Sequence, residues 1–188
     1  QAEKTGERLA ELLSEATGPV RLHSSTMTRA IETADIISTK LTHLNVPRVE
    51  ANPDLSEGYP AVVVPRRSKD GPGSISPKLL ENSQRIENGY NTIFHRATAP
   101  VDEDGERVGS SHEHEYDIVV CHGNVIRYMA LRALQLPPEA WLRLTTFNCS
   151  LTYLVVRPGG RVSLRTLGDT GHLPMALTTF SMHYGYEW

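Results

Sequence analysis

The chain has 188 residues, with 19 Lys and Arg against 22 Asp and Glu and a formal charge of −3. That length suits one domain, with room at most for an appended segment, and the near-neutral balance excludes a dedicated nucleic-acid or membrane-surface binder as the default reading. Two cysteines, Cys121 and Cys149, make no disulfide framework and point to a reducing compartment, and no apolar run is long enough to span a bilayer.

Residues 1–16 place Leu9, Leu12, Leu13 and Ala16 on one helical face, and Thr17-Gly18-Pro19 stops that helix. The helix is already under way at Gln1, so the expectation is that the natural N-terminus lies upstream. Val20 to Ser24 reads as a strand. In residues 26–41, Met27, Ala30, Ile31, Ala34, Ile37 and Leu41 recur at helical spacing. Arg48 to Asn52 reads as a second strand, and 53–76, rich in Pro, Gly, Ser and charge, as a long functional or unstructured loop. Pro77 opens a helix to Arg96 that carries Leu79, Leu80, Ile86, Tyr90, Ile93 and Phe94. Residues 97–115 are acidic and polar, as expected of a solvated loop.

Tyr116 to Cys121, YDIVVC, is a continuous apolar run of the kind found in strands buried on both faces of a parallel sheet. A helix follows over 125–134, with Ile126, Met129, Ala130 and Ala133 facing inward. Residues 148–157 and 161–167 read as two strands joined by Pro158-Gly159-Gly160. The alternation argues an α/β domain with a largely parallel sheet.

At two places a short strand runs into a loop and a helix begins directly after it. SSTMTRA puts Arg29 in the opening turn of one helix, and CHGNVIR puts His122 at the end of a buried strand. In open α/β sheets ligands bind at the carboxyl ends of strands, and helix N-termini attract anions. Gly123 lets backbone approach a ligand closely. An arginine and a histidine at two such ends suggest a phosphate pocket, with Arg29 gripping the oxyanion. The plainer alternatives stay open here. Arg29 could pair with Glu32 or Glu50, His122 could be a satisfied histidine at the sheet edge, and Glu57, in LSEGYP, could be an ordinary solvated charge. His112-Glu113-His114-Glu115 could ligate a metal, although a polar loop gives it no rigid scaffold. His23 lies on a strand and could point to the site or to the core. The two cysteines read as buried core.

HSSTMTRAIETADIIS, LSEGYP, VVCHGNVIRYMALRALQLPPEAWLRL and LVVRPGGRVSLRTLGDTGHLP resemble the histidine phosphatase, or phosphoglycerate-mutase-like, superfamily, and within it the mitochondrial Ser/Thr protein phosphatases. The resemblance runs from Gln1 to about Pro174. It implies a three-layer α/β/α sandwich with a mostly parallel sheet, and a domain over 1–174 with a tail over 175–188. It also implies hydrolysis of phosphoprotein esters through a phosphohistidine, without metal or cofactor. His122, Glu57 and Arg29 match the catalytic positions: His122 binds the phosphoryl group, Arg29 clamps it, and Glu57 protonates the leaving oxygen. Arg29, His122, Gly123 and Asn124 match the phosphate-binding positions. Mitochondrial location and a homo-oligomer are further expectations of the resemblance, with no nucleic-acid partner and no membrane span in this chain.

One departure matters. The family carries an Arg-His-Gly on its first, central strand, and that histidine is the nucleophile. No Arg-His-Gly occurs in these residues. The expectation is therefore a chain that lacks its nucleophile segment and central strand. The alternatives are an inactive phosphate- or phosphopeptide-binding pseudoenzyme, or a small-molecule phosphatase or mutase that uses Arg66, Arg67 and Lys69 on a second acidic group.

Overall fold

The computed structural model describes residues 1–64, 75–95 and 114–180. Arg66, Arg67, Lys69, His112, Glu113 and the aromatic residues Tyr184, Tyr186 and Trp188 lie outside the described residues.

Helix α1 spans Ala2–Leu12 and α2 spans Thr28–Ser38. Their contact runs through Gly6, where a Cβ would come within 2.8 Å of Lys40 Cγ and 3.2 Å of Ile37 Cα. Of the face expected for α1, Leu13 is buried and Leu9 and Ala16 are half-buried, but Leu12 is 52% exposed, and Thr5 and Gly6 are buried besides. Thr5 is drawn inward because its hydroxyl donates to the Cys149 carbonyl at 2.8 Å and lies 2.9 Å from His172 Nε2. On α2, Ala30, Ala34 and Ile37 are buried as their spacing requires.

Strand β1, Val20–Ser24, pairs in parallel with β2, Tyr116–Val120, from Val20 opposite Tyr116 to Ser24 opposite Val120. Helix α2 packs on these strands from one side. On the other side, helices α3, Pro77–Ile93, and α4, Gly123–Ala133, close over Val119 and Cys121. Leu55, Ile86, Ile93, Val125, Tyr128 and Met129 form the core there. Helical layers thus lie on both faces of the parallel strands, and the α/β class stands.

Three expectations change. The stretch 48–52 is not a full strand: it touches β1 only at Leu22–Arg48 and Ser25–Asn52. Leu22 N–H donates to the Pro47 carbonyl at 3.2 Å, Val49 N–H to the Leu22 carbonyl at 3.0 Å and Asn52 N–H to the Ser24 carbonyl at 2.8 Å, and the Asn52 side chain then accepts from Asp54 N–H to cap a short 3-10 turn over Pro53–Leu55. Strand β2 is only half-buried along its whole length. The reason is its setting: among the described residues one edge pairs with β1 and no strand lies along the other. Finally, β3, Leu151–Val156, and β4, Val162–Asp169, form a separate antiparallel sheet rather than extending the parallel one.

The start of the expected tail is tied to the body. Asn148 N–H donates to the Thr179 carbonyl at 2.8 Å, and Gln1 Nε2 donates to Thr179 Oγ1 at 2.8 Å and to the Leu177 carbonyl. No helix among the described residues is long and apolar enough to cross a membrane.

Candidate active site

The ends of β1 and β2 lie side by side, so Ser24-Ser25 and Cys121-His122 meet at one edge of the sheet. His122 is the N-cap residue of α4 and is 5% exposed. Its Nε2 lies 2.9 Å from Ser25 Oγ. That hydroxyl is fixed in turn by Met27 N–H, which donates to it at 3.2 Å, and by Ser56 Oγ at 3.4 Å. Burial, with the Arg29 and Arg85 cations, pushes His122 down to about 4, so its ring is neutral at pH 7.

Glu57 follows the 3-10 turn. Gly58 N–H donates to its Oε1 at 3.0 Å. Burial raises its pKa above the ordinary carboxylate range, against the opposing pull of the Gly58 and Asn124 N–H groups and of Arg29 and Arg127. The Asn124 N–H belongs to the first turn of α4, so the carboxyl sits at that helix N-terminus.

Arg29 lies in the first turn of α2 and is exposed. Among the described residues it forms no ion pair, neither with Glu32 nor with Glu50, and its Nη2 donates weakly to Met27 Sδ at 3.4 Å. Its charge is felt by both His122 and Glu57. Gly123 opens α4 at a tight spot, since a Cβ there would lie 3.0 Å from Thr146 Oγ1. His122, Glu57, Arg29, Gly123 and Asn124 are therefore brought to one place.

Sequence reasoning missed Ser25, Arg85 and Arg127 as members of this cluster. Arg127 Nη1 donates to Asn124 Oδ1 at 3.2 Å, its Nε is buried without a partner, and its charge acts on Glu57. The signal for it was available: Arg127 stands three residues after Asn124, on the same helix face. Arg85 gave no such signal, because it comes from the distant helix α3.

Other candidates go elsewhere. His23 Nε2 lies 2.7 Å from Asp117 Oδ1, inside an ion-pair cluster with Arg21. Glu115 of the suspected metal-binding run pairs with Arg21 at 2.8 Å. No group of three or more His, Cys, Asp or Glu among the described residues is placed to hold a metal ion. Cys121 packs on the core, and burial pushes its thiol up to about 12, which makes it inert. Cys149 departs from the core reading: it occupies a turn at φ 58°, with its carbonyl engaged by Thr5.

Helix-flanked parallel strands thus bring a histidine, an arginine and a half-buried glutamate together near their carboxyl ends. Residues 1–170 match the Histidine phosphatase superfamily (branch 1), and the chain belongs to that family. It is 48% identical over 174 residues to the mitochondrial serine/threonine-protein phosphatase PGAM5 of Mus musculus, covering 93% of this chain and 54% of that one. It is 42% identical over 183 residues to the Caenorhabditis elegans counterpart, covering 96% and 58%. The chain thus spans little more than half the length of these curated relatives. Among solved structures, a Plasmodium falciparum phosphoglycerate mutase superposes with a TM-score of 0.59 at 35% identity, covering 98% of this chain and 88% of that one. A Mycobacterium tuberculosis protein at 21% identity, TM-score 0.57, covering 92% and 82%, shares the fold.

Proposed function

We propose that the protein is a phosphoprotein phosphatase, acting on phosphoserine and phosphothreonine through a phosphohistidine. The observation that carries this reading is Glu57: a half-buried carboxyl with a raised pKa, at the N-terminus of α4, sharing the field of Arg29 with His122. A histidine nitrogen attacks phosphorus in line. Arg29, neutral His122 and the first N–H groups of α4 hold the equatorial oxygens. As the bond from phosphorus to the leaving oxygen breaks, Glu57 gives that oxygen its proton. Water then attacks the phosphohistidine, Glu57 takes a proton from it, and histidine and inorganic phosphate are released.

The nucleophile is assigned to a histidine outside the described cluster, because His122 is held by Ser25 and His23 by Asp117. The edge of β2 that has no partner among the described residues, and the half-burial of Ile118, Val119 and Val120, support a strand at that edge as its carrier. The names of the curated relatives support protein substrates and mitochondrial location. A homo-oligomer belongs to the same proposal, with sedimentation as its check. The similarity to a phosphoglycerate mutase supports a second reading, a small phosphate ester as substrate.

The test is p-nitrophenyl phosphate hydrolysis by the full-length protein and by this 188-residue chain, beside their Arg29→Ala and His122→Ala variants. Activity in the full-length protein that is lost in both variants supports the reading. A full-length protein that binds phosphate without turnover is a pseudoenzyme. Activity of the 188-residue chain itself would place the nucleophile within it. Competition between a phosphopeptide and 3-phosphoglycerate separates the two substrate classes.

A further inference from the structure

The turn that carries Glu57 is gripped by a side chain from another element. Arg85 lies in the middle of α3, and its guanidinium meets the backbone of residues 53–57 at three points. Nη1 donates to the carbonyls of Pro53 at 2.9 Å and Asp54 at 3.1 Å, and Nη2 donates to the Glu57 carbonyl at 3.3 Å. A fourth bond, from Nη2 to Asn82 Oδ1 at 3.1 Å, fixes the fork to its own helix. The Asp54 and Glu57 carbonyls lie toward the end of a 3-10 turn, where acceptors are otherwise left over, and the Pro53 carbonyl, which already accepts Ser56 N–H at 3.0 Å, takes Arg85 as a second donor. The opposite end of that turn is capped by Asn52.

The helix is shaped to reach this turn. A Cβ at Gly89 would lie 3.0 Å from the Asp54 carbonyl oxygen, and one at Gly58 would lie 2.7 Å from Asn82 Oδ1 and 3.0 Å from Arg85 Nη2. Leu55 and Ile86, both fully buried, lock the same two elements from below. An arginine suits the task because its planar fork presents several donors in fixed directions, which a lysine ammonium cannot do.

We infer that Arg85 is a positioning residue for Glu57, holding its backbone so that the carboxyl stays at the N-terminus of α4 beside His122. The inference rests on the general-acid role proposed for Glu57. Arg85 does not touch the Glu57 carboxyl. The groups that face that carboxyl are Arg29 from α2, Arg127 from α4 and the N–H groups of Gly58 and Asn124. Arg85 acts on the turn, and its charge acts on His122.

The test uses full-length protein carrying Arg85→Ala, Arg85→Lys and, as a control, Leu80→Ala, whose side chain is 60% exposed on the same helix. Each variant is followed by thermal melting, by kcat and KM on a phosphomonoester, and by NMR titration of the Glu57 carboxyl and the His122 ring. The expected result for Arg85→Ala is a fall in kcat of at least tenfold with KM changed less than about twofold. Its Glu57 midpoint drops toward the ordinary carboxylate range and its His122 midpoint rises. In Arg85→Lys the charge remains and the brace is lost, so Glu57 drops while His122 stays low; this variant also decides the matter if Arg85→Ala fails to fold. Leu80→Ala behaves as wild type. Unchanged kcat and an unchanged Glu57 midpoint in a folded Arg85 variant overturn the inference. Absence of turnover in the wild type overturns the phosphatase reading instead, and the Glu57 titration then still decides the role of Arg85.

Discussion

His122 Nε2 lies 2.9 Å from Ser25 Oγ, across the ends of two adjacent parallel strands. The register of β1 against β2 thus sets the ring of the site histidine directly, since a slip of one residue would turn Ser25 to the opposite face. Loss of that single hydrogen bond removes about 1 to 1.5 kcal/mol of orientation. Ser25→Ala is therefore expected to lower kcat roughly tenfold. A variant with full kcat would show that the ring is held by packing alone.

Arg29 separates function from stability. It is exposed and without an ion pair among the described residues. A surface substitution of this kind changes stability by no more than about 0.5 kcal/mol. Arg29→Ala is expected to leave the melting temperature in place while reducing turnover by about a thousandfold, the scale of a lost oxyanion clamp. Near-normal turnover would remove the arginine from the site.

Glu57 has the opposite character. Its pKa is raised in the folded protein, chiefly by burial. A raised acid contributes stability that is fully present below its unfolded pKa of about 4.3 and is lost as pH rises through the folded value. At a pH above its folded pKa the wild type therefore carries a half-buried charge that Glu57→Gln lacks. The variant is expected to melt higher than wild type at pH 8, with the difference closing near pH 4, while its turnover falls by about 10²- to 10⁴-fold. A variant less stable at pH 8 would contradict the burial argument.

Much of this was legible in the sequence, and what was legible was local. The spacing of Ala30, Ala34 and Ile37 gave α2 its buried face, and CHGN announced a strand running into a helix N-terminus. Burial was harder to read, because it depends on neighbours. The apolar run of β2 fits a strand covered on all sides, yet Ile118 to Val120 are half-buried because one edge has no partner among the described residues. Glu57 gave only a loop glutamate, since its environment is assembled from α2, α3 and α4. Leu12 looked like core, yet it is exposed while its neighbour Leu13 on the same expected face is buried.

His23 belongs to an ion-pair cluster with Asp117 and Arg21. Asp117 Oδ1 receives Arg21 Nε at 2.8 Å and lies 2.7 Å from His23 Nε2, with all three side chains less than one-third exposed. Burial by itself would push the Asp117 carboxyl up, but the hydrogen bonds from His23 and Arg21 outweigh it and hold the group well below the usual carboxylate range. A depressed acid contributes stability that is present above its unfolded pKa of about 3.9 and is lost as pH falls toward the folded value. Asp117→Asn keeps an acceptor oxygen and removes the charge, leaving Arg21 with Glu115 alone. The cost expected at pH 7 is about 2 kcal/mol, below the 3 to 5 kcal/mol of a fully buried broken pair because water reaches this one. For a chain of this size that is a drop in melting temperature of about 4 to 8 °C. The gap between variant and wild type should hold from pH 7 to pH 5 and narrow below pH 4, with phosphatase turnover at pH 7 unchanged in the folded variant. A gap that persists undiminished at pH 3 would mean the stabilisation comes from packing rather than from the carboxylate charge, and a loss of turnover would bring His23 back into the chemistry.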